Sequence, residues 1–126
     1  MIEYRTKPLS RKQLFDELAY VIRALRDIGS TECKLMFGWD SNLPVDDMWK
    51  DMVIPIENIV SYLAQSEGQG TITVGRSDVI VNDSNLEFVL CHESDVHVSG
   101  NSDLVATLLE RWASCDYAPY CLKDER

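Results

Sequence analysis

The chain has 126 residues, 45% of them hydrophobic, and a formal net charge of −9 at pH 7. This length and composition predict a single domain, residues 1–126, whose core is large enough to need neither a disulfide nor a metal. Residues 27–103 contain fourteen acidic and only three basic side chains. Nucleic-acid binding requires basic groups that neutralise phosphates, so the sequence argues against a nucleic-acid partner.

The cellular location is predicted from the apolar segments and the cysteines. No apolar run approaches the ~20 residues of a membrane-spanning helix, and the charged N-terminal segment lacks the apolar core of a secretory signal. We therefore expect a cytoplasmic protein with no membrane partner and with reduced thiols. A bridge between Cys115 and Cys121 is left open by their closeness in sequence, whereas Cys33 and Cys91 fall inside apolar strands.

The first predicted helix follows a short lead-in, residues 1–9, in which Pro8 disfavours a preceding helix. Ser10 and Gln13 have the spacing of a capping box, in which each side chain bonds the backbone amide of the other residue. Apolar residues then recur at helical spacing as far as Gly29, a favourable stop signal. They are Leu14, Leu18, Val21, Ile22, Leu25 and Ile28.

A strand and an irregular region are predicted next. Strict alternation from Thr31 to Trp39 indicates a half-buried strand, with Trp39 on its inward side. The irregular residues 40–54 place Trp49 and Met52 among several aspartates. Two interpretations remain open: a protein-binding surface, since interface cores favour Trp and Met, or a loop that tucks both side chains against the core.

The second half is predicted to contain a helix, a meander of strands and a last helix. Pro55 suits the first position of a helix that ends near Gly68, and a third helix ends near Ser114. The last residues, around Pro119, are expected to form an irregular segment or an edge strand. The predicted strands are Thr71–Val74, Val79–Val81, Leu86–Cys91 and Val96–Val98. Of these, Leu86–Cys91 is the most apolar and is predicted to be the central strand of the sheet.

The element order α-β-α-β-β-β-β-α predicts an α+β domain. Sequential strands joined by short polar turns favour a mostly antiparallel sheet of about five strands, with three helices packed on one face. Strand order beyond adjacent hairpins is left open, as is the oligomeric state.

The densest group of reactive side chains is the sequence CHESDVH, residues 91–97. As a zinc site it would offer Cys91, His92, Glu93, Asp95 and His97, but the paired spacing of structural zinc sites is missing. Strand alternation would also separate Cys91 from His92, which disfavours a thiol–imidazole catalytic pair. We therefore expect a structural turn, with no catalytic residue, no metal and no cofactor.

The C-terminal half combines a Gly75–Asp78 turn, an Asn82-Asp83 turn, the stretch Leu86–Val98, a helix ending in Trp112 and a Tyr117–Tyr120 tail. These features, within residues 71–120, resemble small cytoplasmic immunity proteins of bacterial polymorphic-toxin systems, including contact-dependent growth inhibition. The resemblance implies a non-enzymatic inhibitor that binds one cognate toxin domain, often a basic nuclease. No catalytic residue is implied by it.

The acidic middle of the chain suits such a role, because carboxylates can occupy a basic cleft and speed encounter. The residues predicted to contact the partner are Asp40, Asp46, Asp47, Asp51, Glu93 and Asp95, with Trp49 as anchor. The alternatives are that the acidic residues only maintain solubility, that the protein is a small cytosolic regulatory adaptor, or that it is a Cys/His-dependent enzyme.

Overall fold

Seven strands in the described part of the chain form one antiparallel sheet, against which three helices pack. The computed structural model describes residues 2–100 and 102–123. The strands are β1 (Ile2–Arg5), β2 (Glu32–Phe37), β3 (Met52–Pro55), β4 (Val79–Asn82), β5 (Leu86–Leu90), β6 (Val96–Gly100) and β7 (Tyr120–Lys123). The helices are α1 (Arg11–Asp27), α2 (Ile59–Gly68) and α3 (Ser102–Ser114), with 3₁₀ turns at Val45–Asp47 and Ile56–Asn58. The α+β prediction is confirmed, with seven strands where about five were expected.

The sheet order is β3-β2-β4-β5-β6-β1-β7, and every neighbouring pair is antiparallel. The apolar strand β5 occupies the centre, as predicted, and β7 is an edge strand. Two strands were not predicted, β1 within the lead-in and β3 within the irregular region. Each of these strands has only four residues, which are too few for an alternating pattern of polar and apolar residues to predict a strand.

The predicted strand Thr71–Val74 is wrong. Its only strand-type pairing among the described residues is an isolated bridge between Val74 and Ser77. The hydroxyl of Ser77 accepts a hydrogen bond from the amide of Thr73 (3.0 Å), and the amide of Ser77 donates to the Thr73 carbonyl (2.8 Å). The segment is therefore a tight turn, and its apolar residues Ile72 and Val74 are buried beneath it without joining the sheet.

The first helix begins at the predicted capping box. Ser10 Oγ accepts from the amide of Gln13 at 3.2 Å, and Gln13 Oε1 accepts from the amide of Ser10 at 2.9 Å. The second helix differs from prediction, because Pro55 ends β3 and a 3₁₀ turn separates it from α2. Proline suits both the end of a strand and the first position of a helix, since neither position needs the backbone N–H that proline lacks.

The core lies on one face of the sheet. Cross-strand pairing aligns Leu35, Val81, Phe88 and Val98 in one row, and all four are at most 1% exposed. They belong to one apolar cluster with the buried residues of all three helices, which places the helices on that face. On the opposite face, here called the open face, the corresponding row is half-buried: Met36, Ile80, Val89 and His97.

A buried carboxylate joins α1 to α3. Glu17 is fully buried and accepts hydrogen bonds from Arg111 Nε (3.0 Å) and from Trp112 Nε1 (2.7 Å). A second Arg111 nitrogen lies 2.8 Å from the same carboxylate. This network satisfies a charge that would otherwise be costly inside the core.

The four cysteines are free, and Cys33 and Cys91 are buried as expected, whereas Cys115 and Cys121 are exposed. No helix in the described part of the chain is both long and apolar enough to cross a membrane.

Candidate functional site

Two exposed tryptophans form an aromatic pair at one end of the sheet. Trp39 is 61% exposed and Trp49 is 42% exposed. Their ring centroids lie 6.2 Å apart, edge to face. The prediction that Trp39 points inward is wrong, because β2 ends at Phe37 and alternation no longer applies.

Trp49 is held in place by its backbone. Its φ of 63° is in the left-handed region, and its amide donates to the carbonyl of Phe37 at 2.8 Å. The indole lies directly on Gly38, where an added Cβ would come within 2.1 Å of the ring. Of the two open interpretations of this region, Met52 packs against the core whereas Trp49 stays at the surface.

Four of the predicted carboxylates surround this pair in the chain and are exposed. Asp40 follows Trp39 directly, with a φ of 59°. Asp47 lies 3.2 Å from Lys50, and Asp51 lies 3.9 Å from Lys34, so these two are partly neutralised. Asp46 has no ion pair within the described residues.

Glu93 lies beside His92, with Oε1 of the carboxylate 3.6 Å from Nε2 of the ring. The hydrogen bond that His92 makes to the Asp78 carboxylate raises the pKa of His92, and the negative charges of Asp78, Glu93 and Asp40 add to this effect. The backbone links the same region, since the amide of Asp78 donates to the Trp39 carbonyl at 2.9 Å. We call Trp39, Asp40, Asp46, Trp49 and Glu93 the acidic tryptophan surface.

Asp95 does not join this surface, because it is only 7% exposed. It lies at the turn between β5 and β6, where the amide of Cys91 donates to its carbonyl at 2.9 Å. The turn is closed by Ser94, whose φ of 69° is in the left-handed region. Such a turn places Cys91 and Asp95 opposite each other on the open face.

The predicted separation of Cys91 from His92 is also wrong. Since β5 ends at Leu90, the two residues no longer alternate, and Cys91 Sγ lies 3.8 Å from His92 Nδ1. His92 is held by Asp78, whose Oδ1 is 2.8 Å from both the amide and Nδ1 of His92.

The electrostatics around Cys91 disfavour thiol catalysis. Burial raises the pKa of the Cys91 thiol to about 12, and the neighbouring Asp95 carboxylate adds to the rise. Nucleophilic cysteines have a lowered pKa, because the thiolate is the reactive form.

A cavity of 810 Å³ lies at the other end of the sheet, beside the Asn82–Asn85 turn, and no histidine or cysteine lines it.

Sequence reasoning missed Trp39 and Asp78. A signal for Trp39 was available, because the preceding Gly38 is a natural strand end. No signal in the sequence was available for Asp78, whose partner His92 is fourteen residues away.

Comparison of the chain with models of protein families, with curated proteins and with solved structures gives no match.

Proposed function

We propose that this chain is a non-enzymatic immunity protein, which binds a basic toxin domain through the acidic tryptophan surface and neutralises it. The observation that carries this proposal is the exposed Trp39–Trp49 pair, which packs on Gly38 and is followed or preceded in the chain by exposed aspartates. A cytoplasmic location, where the toxin domain would act, belongs to the same proposal.

The tryptophans supply the anchor. Large contiguous apolar patches are rare on the surface of monomeric proteins, and Trp is enriched among the residues that dominate binding energy. Because Trp49 is already fixed by its backbone and by Gly38, little conformational freedom is lost when a partner covers it.

The carboxylates supply selectivity for a basic partner. Asp40 and Asp46 have no ion pair within the described residues, so their charge is available to a partner's lysines and arginines. Opposite charges of this kind increase the association rate more than they increase affinity, and the effect weakens as salt rises.

The test uses the product of the gene immediately upstream as the candidate partner. Pull-down with the purified chain, followed by rescue of growth when both genes are expressed, separates an immunity protein from a regulatory adaptor. Trp39→Ala and Trp49→Ala are expected to weaken binding by ~2 kcal/mol or more, roughly 30-fold in Kd. Tyr120→Ala is the matched control, because Tyr120 is 49% exposed but lies on the edge strand β7.

Charge reversal tests the electrostatic part. Asp40→Lys with Asp46→Lys is expected to slow association and to flatten its salt dependence. Asp27→Lys is the control, since Asp27 is exposed at the end of α1. If the tryptophan variants bind and rescue as well as Tyr120→Ala does, the acidic tryptophan surface is not the interface.

A further inference from the structure

A group of metal-ligating side chains lies on the open face, beside but separate from the acidic tryptophan surface. The register of β5 with β6 pairs Leu90 with Val96, which brings Cys91 opposite Asp95, and His97 follows two residues later on the same face. The ligand atoms of Cys91, Asp95 and His97 all lie within 4.8 Å of one another. We call these three residues the Cys91 cluster.

The Asp95 carboxylate provides an independent indication of a ligand. Asp95 is 7% exposed, and its Oδ1 has no hydrogen-bond partner among the described residues. Its Oδ2 lies 2.8 Å from His97 Nε2. A buried carboxylate oxygen without a partner is costly, and a bound cation would remove that cost.

A second carboxylate lies near the other ring nitrogen of His97. While Nε2 faces Asp95, Nδ1 lies 3.9 Å from a carboxylate oxygen of Glu3. Metal-ligating histidines commonly direct their other ring nitrogen towards a carboxylate, which fixes the tautomer. Arg5 is the nearby cation, and its charge is balanced by Glu3 at 2.7 Å.

A second group, Asp78, Cys91 and His92, also has ligand atoms within 4.8 Å. Here the ligand positions are already occupied, because Asp78 Oδ1 accepts from the amide and lies 2.8 Å from Nδ1 of His92. Asp95 Oδ2 also lies 2.8 Å from a histidine nitrogen, so the difference is at Asp95 Oδ1, which has no hydrogen-bond partner among the described residues.

We propose that the Cys91 cluster binds a zinc ion, with Cys91 Sγ, an Asp95 carboxylate oxygen and His97 Nε2 as ligands. Thiolate, imidazole and carboxylate together are a donor set that zinc accepts in tetrahedral geometry. On binding, the metal replaces the proton of the Cys91 thiol, which passes to solvent. It also replaces the Nε2 proton that His97 donates to Asp95; the neutral ring then carries its proton on Nδ1, on the side of Glu3. Three protein ligands leave the fourth position to an exchangeable ligand.

Zinc at this position would fasten the start of β6 to the end of β5. Zinc–ligand distances of roughly 2.0–2.3 Å put neighbouring ligand atoms of a tetrahedral site roughly 3.3–3.7 Å apart. The 2.8 Å hydrogen bond between His97 Nε2 and Asp95 Oδ2 must therefore open to admit the ion. A short turn that is already closed by backbone hydrogen bonds can make this movement without rearranging the sheet. The binding does not depend on a toxin partner.

The experiment measures zinc and cobalt binding by the full chain after chelator treatment, with Cys115→Ser and Cys121→Ser as the background. Zinc content after dialysis and the thiolate-to-cobalt charge-transfer absorption are the two measurements. Cys91→Ser is expected to abolish the absorption, and His97→Gln is expected to abolish stoichiometric zinc binding. His92→Gln is the matched control and is expected to retain both signals.

The second shell gives a graded test. Glu3→Gln is expected to lower zinc affinity roughly 10–100-fold while leaving the ligands in place. The proposal is overturned if the background protein binds no zinc, or if its cobalt complex lacks thiolate absorption. It is equally overturned if His92→Gln loses the metal while His97→Gln retains it. If circular dichroism shows that a ligand variant is unfolded, the zinc content and the cobalt absorption of the background protein are the measurements that support or overturn the proposal.

Discussion

The ion pair between the buried Glu17 and the partly exposed Arg111 gives a prediction whose magnitude follows from the geometry. Arg111→Met removes the guanidinium, 28% exposed, that lies 2.8 Å from a Glu17 carboxylate with 0% exposure. One hydrogen bond from Trp112 Nε1 would remain for a charge inside the core. Removing one partner of a fully buried pair costs ~3–5 kcal/mol, because the other charge is left uncompensated, and the exposure of Arg111 puts the expected cost at the lower end, ~3 kcal/mol.

The same reasoning predicts that a second substitution restores stability. Glu17→Leu together with Arg111→Met removes both charges and fills the space with apolar atoms, which is often nearly neutral. Trp112 Nε1 would then lack its acceptor, so a residual cost of ~1–3 kcal/mol is expected. The guanidinium also lies 4.4 Å from the Tyr20 ring centroid, and losing this contact adds ~0.5–1 kcal/mol to both variants.

Urea unfolding of the wild type and the variants measures these differences, provided the transitions remain two-state. Arg23→Met is the matched control, since Arg23 is exposed on α1 and is expected to change stability by only about 0.5 kcal/mol. If Arg111→Met costs no more than Arg23→Met, or the double variant is no more stable than Arg111→Met, the Glu17 charge is not what the arginine stabilises.

Three further predictions concern Gly38, the helix-capping residue Ser10 and the four cysteines. Gly38→Ala would place a Cβ 2.1 Å from the Trp49 ring, so the indole must leave the backbone; we expect a change in tryptophan fluorescence and partner binding as weak as that of Trp49→Ala. Ser10→Ala removes the side-chain acceptor of the capping box and is expected to cost ~1 kcal/mol in urea unfolding, and an unchanged midpoint would contradict this role. In the native metal-free protein a thiol reagent is expected to modify only Cys115 and Cys121, and rapid reaction of all thiols before unfolding would contradict the burial of the others.

The helices were predictable because their apolar residues follow one period over several turns. Leu14, Leu18 and Val21 on α1 are all buried, as the spacing indicated. The burial of Glu17 was not predicted, although its spacing from Leu14 and Val21 places it on the apolar face. Only the tertiary structure supplies the reason, since its partner Arg111 is ninety-four residues away.

The candidate sites were less predictable, because the prediction assumed that side chains continue to alternate between the two faces of the sheet beyond the ends of the strands. Trp39 and His92 each follow a strand by only two residues, and each takes an orientation set by backbone contacts with other segments. Of the aspartates predicted to contact a partner, Asp40 and Asp46 are exposed, whereas Asp95 is buried by pairing across its own turn. Partner binding by any of these residues stays a prediction.

The position of β1 between β6 and β7 determines when the sheet can be completed during synthesis. Both neighbours of β1 in the sheet come much later in the chain, at residues 96–100 and 120–123. Pairings this distant in sequence slow folding, so β1 stays unpaired in a nascent chain until residues 96–123 have been synthesised. The exposed backbone of β1 is then open to pairing with another chain, which is a route to aggregation during synthesis.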